Sequence, residues 1–199
     1  MKTLLLRLAG PMQSWGTQSR FTVRDTERDP SKSGVIGLLC AALGRSRGTP
    51  VDDLAALRMG VRVDQEGAVL VDYQTAGGTH RRGERYGVAK ADGSAGDTVV
   101  SSRYYLADAD FLVGLEGSGG EQEALLHNLN AALARPVWPL FLGRKAFVPG
   151  CPVRLPDEPP WGPGLREGRL EDVFQAYPWP ARRHGEPEQV RLVVDAAPA

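Results

Sequence analysis

Four short segments of the sequence carry side chains that suit contact with a nucleic acid. The first is the turn that follows the opening apolar run, and its members are Met12, Gln13, Ser14 and Trp15. Glutamine and serine side chains hydrogen-bond bases or sugars, and methionine and tryptophan side chains stack on unpaired bases. A structural turn with Trp15 in the core is the alternative, and residue type alone favours it.

The second segment is the start of a predicted helix, where Lys32 and Ser33 follow Pro30. Free backbone N–H groups, the helix dipole and a lysine together suit a phosphate group. An ordinary N-cap beside a solvated lysine explains the same residues.

The third segment is the sequence Gly143, Arg144 and Lys145. Glycine permits a close backbone approach, and the two cations can contact phosphates. A surface turn accounts for this segment equally well.

The fourth segment belongs to a long excursion at residues 76–103, a length that is usually functional or disordered in a compact fold. Its cations and aromatic residue between positions 79 and 90 are Arg81, Arg82, Arg85, Tyr86 and Lys90. This mixture fits a loop that follows a phosphate backbone, although a solvated basic loop is also common. The six glycines of the excursion make it costly to fix, so we expect bound RNA to order it.

Hydrophobic periodicity predicts the elements that must position these segments. Strands are predicted at residues 3–8, 61–63, 68–73, 111–115, 137–141 and 189–194, and helices at residues 34–43 and 121–134. The turn at residues 65–67 predicts a hairpin. The order strand, helix, strand, strand, helix, completed by a final strand at residues 137–141, matches an α+β, ferredoxin-like βαββαβ fold.

Two details of the helices carry further expectations. Gly34 and Gly37 each cost about 1 kcal/mol relative to alanine in a helix, which predicts that another element packs closely against them. A serine N-cap and Gly44 as C-cap bound this first helix. On the second helix, Leu125, Leu129 and Leu133 form an apolar stripe, and His127 is expected to face solvent.

Composition limits the classes of function that need to be considered. The 199 residues are 42% hydrophobic, and 24 basic residues balance 24 acidic ones. A free-standing nucleic-acid binder usually carries excess positive charge, so any RNA binding must come from local patches. The two cysteines form no CxxC pair, which predicts neither a zinc site nor a disulfide framework, and no cofactor is expected. No segment suits a signal peptide or a membrane span, which predicts a cytoplasmic protein.

Taken together and in this order, the four segments resemble the CasD (Cas-five) family of subunits of the type I-E CRISPR Cascade complex. The resemblance rests on the opening Leu-x-Leu-x-Gly-Pro-Met-Gln-Ser-Trp-Gly, the glycine-bearing first helix, the Arg103-Tyr-Tyr-Leu sequence and the Leu-Gly-Arg-Lys loop. It covers about residues 1–153. As a set these motifs are specific, whereas any one of them alone is weak.

The resemblance implies a modified ferredoxin-like fold related to RNA recognition motifs, in residues 1–150. A thumb hairpin is inserted at about residues 76–103, and residues 151–199 form a Pro/Gly/Trp-rich extension. The thumb would help to hold the repeat-derived 5′ handle of the guide RNA (crRNA), and Arg103 at its frame is counted among the RNA-binding residues. The implied neighbours are the backbone subunit and the large subunit that reads target DNA. Because the central strands lack stacking aromatics, RNA contact is expected from loops and the thumb.

Two other functions stay open at this point. Relatives in type I-C systems cut precursor RNA, and His80 with Tyr86 and Lys90 would supply the acid and base that metal-independent cleavage needs. A separate subunit cuts in type I-E systems, so the resemblance favours a non-catalytic clamp. The third possibility is a protein-only scaffold anchored by Trp161 and Trp179.

Overall fold

The computed structural model describes residues 1–19, 22–81, 84–86, 88, 96–180 and 189–196. These residues form a mixed α+β fold with antiparallel sheets. The elements are β1 (Lys2–Ala9), β2 (Met12–Gln13), β3 (Val23–Arg24), α1 (Lys32–Leu43), α2 (Asp52–Ala55), β4 (Arg58–Gln65), β5 (Ala68–Ala76), β6 (Gly78–Arg81), β7 (Glu84–Tyr86), β8 (Val99–Ala107), β9 (Asp110–Gly117), α3 (Gly119–Ala134), β10 (Leu165–Glu167), α4 (Leu170–Ala176) and β11 (Leu192–Val194). None of the described helices is both long and apolar enough to cross a membrane.

The main sheet has the order β10-β1-β9-β4-β11, and every neighbouring pair is antiparallel. Alternate side chains of β1 point to opposite faces, as the period of two in a strand requires. Leu4, Leu6 and Leu8 enter the larger core with α1 and α3, and Leu5 enters a smaller core with α4. The sheet is therefore covered on both faces.

The strand predicted at residues 137–141 is wrong, and the position beside β1 is taken by β10. Pro139, in the middle of this segment, removes an N–H donor that a strand would need, and Pro136 immediately precedes the segment. The segment instead caps the carboxyl end of α1, where Val137 N donates to Ala42 O at 3.0 Å and Trp138 N donates to Ala41 O at 3.1 Å. Residues beyond position 150 supply both edges of the main sheet, as β10 and β11.

The hairpin predicted at residues 65–67 is also wrong, because β4 pairs with β9 whereas β5 pairs with β8. The pairs Gln65↔Asp110 and Ala68↔Ala107 follow one register across the turn. The chain therefore bends at this point and does not reverse. The result is one long two-stranded ribbon, which begins in the main sheet and continues outward as β5 and β8. The hairpin of β6 and β7 follows beyond it.

Both predicted helices are confirmed. α1 begins two residues earlier than expected and ends at Gly44, whose φ of 71° is the left-handed conformation of a glycine C-cap. A Cβ atom on Gly34 would lie 2.8 Å from Trp15 Cε3, so the expected close packing is present there. The same expectation is wrong for Gly37, because no described residue has an atom within 4 Å of its Cβ position. His127 on α3 is exposed, as predicted.

Candidate nucleic-acid interface

The turn after β1 is stabilised by side chains for which the sequence had predicted base contacts. The Gln13 amide donates to Leu8 O at 2.9 Å and to Ala109 O at 2.8 Å, and its oxygen accepts from Trp15 Nε1 at 3.1 Å. Gln13 is 0% exposed and Trp15 is 1% exposed. Neither side chain is accessible to a base, so the prediction that these two residues contact RNA is wrong. Burying the indole and satisfying the amide internally stabilises the turn itself.

The other two residues of this turn are placed differently. Met12 is half-buried and packs against the larger core, where β2 pairs it with Ala107 of β8. Ser14 is nearly buried, and its backbone N–H donates to Leu142 O at 3.0 Å. This hydrogen bond ties the turn to the loop that begins at Leu142.

The loop at residues 142–147 is closed by two backbone hydrogen bonds. Leu142 N donates to Phe147 O at 2.8 Å, and Phe147 N donates to Arg144 O at 2.9 Å. Gly143 has φ of 93°, and a Cβ atom there would lie 1.8 Å from Ser14 O. Only glycine fits both the backbone conformation and the space. The loop and the turn therefore form one unit that fixes the backbone of Arg144.

Three of the four predicted segments meet around one polar cavity of about 310 Å³. We call it the arginine pocket. Its lining residues are Ser14, Trp15, Gly16, Ser19, Arg24, Asp25, Ser31, Ser33, Gly34, Gly143 and Arg144.

Arg144 supplies the cation of this pocket. Its Nη2 donates to Arg24 O at 3.2 Å and to Asp25 O at 3.4 Å, and its guanidinium lies 5.5 Å from the centre of the Phe147 ring. Its Nη1 is buried and has no hydrogen-bond partner in the described part of the chain. Burial, followed by the charges of Arg103 and Arg24, lowers the pKa of Arg144. Because a guanidinium stays protonated in proteins, these conditions favour an anion beside it.

The carboxylate in the pocket, on Asp25, is engaged by its own loop. One oxygen accepts from Ser19 Oγ, and the other accepts from Gln18 N at 2.9 Å. The Ser19 hydrogen bond is the main cause of the lowered pKa of Asp25. The hydrogen bond from Arg144 goes to the backbone carbonyl of Asp25 and not to this carboxylate.

The start of α1 forms one wall of the pocket through Ser31, Ser33 and Gly34. Ser31 is the N-cap residue, but its side chain makes no capping hydrogen bond. The N-terminal turn of a helix carries unsatisfied N–H groups and a partial positive charge, which favour an anion. Lys32 does not line the pocket. It forms an ion pair with Asp195 at 2.7 Å, and Lys145 is an exposed residue outside the lining.

Strand pairing brings two further arginines close to Arg144. The parallel pair of β3 and β8 places Arg24 beside Arg103, and Arg103 Nε donates to Ser101 Oγ at 3.0 Å. Arg103 was predicted from the resemblance. Arg24 was missed, because β3 has only two residues and its pairing with β8 is not visible in local sequence.

The fourth segment lies away from the pocket. The hairpin of β6 and β7 pairs Thr79 with Arg85 and Gly78 with Tyr86, and Arg81 ends β6. The hairpin follows the last β5–β8 pair, which is four residues, or about 13 Å, beyond Arg103. The predicted contact residue Arg82 and the alternative catalytic residue Lys90 lie outside the described residues.

The chemistry of the lining suits binding of a phosphate group. Arginine side chains and helix N–H groups are donors, and the four serines of the lining can hydrogen-bond a sugar hydroxyl. The lining has no histidine, and Asp25 is its one carboxylic acid. Within the described ranges, no group of three or more His, Cys, Asp and Glu side chains could hold a metal ion.

The chain is similar to known CRISPR-associated proteins. A family model described as "CRISPR-associated protein (Cas_Cas5)" matches residues 3–197. The chain therefore belongs to the Cas5 family of CRISPR-associated proteins.

One curated relative and two solved structures are similar to the chain over most of its length. The Escherichia coli (strain K12) "CRISPR system Cascade subunit CasD" is 33% identical over 168 residues, which cover 77% of this chain and 68% of that protein. A "Crystal structure of Cas protein" is 46% identical with a TM-score of 0.71, covering 98% of this chain and 80% of that one. A chain of a "CRISPR RNA-guided surveillance complex" is 46% identical with a TM-score of 0.66, covering 76% and 61% respectively.

Proposed function

We propose that this chain is the non-catalytic subunit of a type I-E Cascade complex that holds the repeat-derived 5′ handle of the guide RNA. The observation that carries the proposal is the arginine pocket. Three segments that are distant in sequence converge there, and the buried Nη1 of Arg144 has no partner among the described residues. The E. coli relative is named as a Cascade subunit, which supports the same role.

In this proposal a handle phosphate occupies the pocket. It accepts hydrogen bonds from Arg144 Nη1 and from N–H groups at the start of α1, and Arg103 and Arg24 add positive charge. The hydroxyls of Ser14, Ser31 and Ser33 lie on the same lining and suit a ribose 2′-hydroxyl. Gln13 and Trp15 act indirectly, by holding the turn against the loop.

We also assign the core to a modified ferredoxin-like fold related to RNA recognition motifs. The antiparallel order β10-β1-β9-β4 supports it, because α1 follows β1, β4 and β9 are joined through the ribbon, and α3 precedes β10. The fourth strand comes from the Pro/Gly/Trp-rich part of the chain. The ribbon of β5 and β8 then corresponds to the proposed thumb.

Contacts with other Cascade subunits are part of the proposal. One face of the ribbon carries Val69, Val71 and Tyr73 of β5. By register Val71 pairs with Tyr104 and Thr75 pairs with Val100, so Tyr104 and Val100 share that face, and all five apolar side chains are exposed. Tyr73 alone is 68% exposed. An apolar stripe of this kind is typical of a protein interface, and we assign it to the backbone subunit. The large subunit, and target DNA through it, would contact the assembled complex in the cytoplasm.

Binding of handle RNA to the assembled complex tests the proposal. Complexes would contain wild-type protein, Arg144→Ala or the control Arg47→Ala, which removes an exposed arginine outside the pocket. Filter binding would compare handle RNA with scrambled RNA. Loss of a charge-assisted hydrogen bond predicts about 10- to 100-fold weaker handle binding for Arg144→Ala only. Equal affinity of all three proteins for handle RNA, or equal binding of both RNAs by the wild type, contradicts the proposal.

A further inference from the structure

A second cavity, larger than the arginine pocket, shares none of that pocket's lining residues. Its volume is about 800 Å³, within the range of roughly 300–1,000 Å³ that is typical of small-molecule sites. Arg7 of β1, the end of α3 at Leu133, and the chain after residue 150 form its walls. The function proposed above makes no use of it.

The hydroxyl of Tyr177 points to a ligand for this cavity. Tyr177 lines the cavity and is 3% exposed, yet its hydroxyl has no hydrogen-bond partner among the described residues. Burial raises the pKa of this hydroxyl, so it stays a neutral donor. The guanidiniums of Arg62 and Arg166 lie 5.4 Å and 5.0 Å from the centre of its ring. A ligand that accepts a hydrogen bond here would satisfy a donor that is otherwise unpaired.

The remaining walls suit a flat ring with a phosphate attached. Trp161 lies against Tyr177 with ring centres 6.1 Å apart, and it is only half-buried, so part of the indole is available. Leu155 and Pro152 add apolar surface. Arg154 also lines the cavity and carries the cation that a phosphate needs, although it already contacts Asn130 and Asp157.

We propose that this cavity is a second binding site, which takes one unpaired nucleobase with its phosphate. The base stacks on Trp161 and accepts a hydrogen bond from the Tyr177 hydroxyl, and Arg154 contacts the phosphate. The core strands lack the stacking aromatics of an RNA recognition motif, and in this arrangement the chain after residue 150 supplies them. An apolar side chain of a partner protein fits the site less well, because it would leave the Tyr177 hydroxyl unpaired.

The site is separate from the arginine pocket, so the two can be tested independently. The full-length protein would be titrated with the four nucleoside monophosphates, and with short single-stranded RNAs that do or do not carry one abasic position. Cross-linking of 4-thiouridine RNA, followed by peptide mapping, would locate the bound base. Monophosphate binding alone would identify a free nucleotide as the ligand, and a requirement for the RNA strand would identify a base of an RNA.

Three variants give the expected pattern. Tyr177→Phe removes only the unpaired hydroxyl, so it should weaken base binding about five-fold while leaving stability to urea unchanged or higher. Trp161→Ala should weaken it about ten-fold or more through lost stacking. Trp138→Ala, which changes an exposed tryptophan outside the cavity, should leave monophosphate binding unchanged. Wild-type affinity of Tyr177→Phe, no binding of any nucleotide or RNA, or 4-thiouridine cross-links that map only outside the cavity would each overturn the proposal.

Discussion

Replacing Gly143 with alanine should both destabilise the protein and disrupt the arginine pocket. The residue has φ of 93°, a region that side-chain-bearing residues rarely adopt. The added Cβ would also lie 1.8 Å from Ser14 O, a backbone atom that cannot rotate away. The loop must therefore separate from the turn after β1, and the Arg144 guanidinium would move with it.

The expected loss of folding free energy in Gly143→Ala has two contributions. Holding a non-glycine residue in a left-handed conformation costs about 1–2 kcal/mol. Separating loop and turn breaks the hydrogen bond from Ser14 N to Leu142 O, worth about 0.5–1.5 kcal/mol. The sum is about 3.5 kcal/mol at most, and for a chain of this size each 1 kcal/mol lowers Tm by about 2–4 °C. Gly143→Ala should thus melt roughly 7–14 °C below the wild type if it loses the full amount.

The assay is thermal and urea denaturation, each monitored by tryptophan fluorescence, with handle-RNA binding measured on the same protein preparations. Gly37→Ala is the matched control, because Gly37 is exposed in the middle of α1 and no atom of the part of the chain that the structure describes lies within 4 Å of its Cβ position. It should raise stability by about 1 kcal/mol through helix propensity and leave RNA binding unchanged. A Gly143→Ala protein with wild-type stability and wild-type RNA binding would refute the reasoning.

Three further predictions concern other parts of the molecule. Hydrogen bonds from Arg58 hold the pKa of Glu171 at about 2, below its ordinary value of 4.5, so this pair stabilises the fold above about pH 4.5 and loses that contribution as the pH falls towards 2. Glu171→Gln should flatten this part of a curve of stability against pH, and an unchanged curve would contradict the assignment. Purified protein should not cleave repeat RNA with or without chelator, whereas specific cleavage that disappears in His80→Ala would establish the endoribonuclease. Hydrogen exchange should show amides at residues 79–90 gaining protection when guide RNA binds, and equal protection in both samples would indicate a purely structural hairpin.

Local sequence patterns were sufficient to predict the helices and strands whose stabilising contacts are local or periodic. The apolar run of β1 and the leucine stripe of α3 both predicted their elements, because one buried face imposes a fixed spacing. Gly44 marked the end of α1 through its left-handed conformation.

Pairing between distant strands was not visible in the same patterns. A strand as short as β10 carries almost no periodicity, and its place beside β1 depends on residues more than 160 positions away. The turn at residues 65–67 has the composition of a hairpin, but β4 and β5 each have a better partner across the ribbon. Tertiary contacts decide such cases.

The candidate site shows the same contrast between residues with a local sequence signal and residues that only tertiary contacts bring together. Gly143 and Arg144 were identified from residue type and neighbours, and both lie in the arginine pocket. Trp15 was assigned to base stacking although residue type favoured the core, and the structure buries it against Gly34. Arg24 carried no local signal, because only its pairing with β8 brings it to Arg103.

The salt dependence of guide-RNA binding tests the central claim most directly. For single-stranded nucleic acid, each neutralised phosphate contributes about 0.7 to the slope of log affinity against log salt concentration. Complexes with Arg103→Ala plus Arg144→Ala should therefore bind handle RNA with a slope that is shallower by up to about 1.4, and Arg47→Ala should keep the wild-type slope. An unchanged slope and affinity in the double variant would show that the arginine pocket does not hold the RNA.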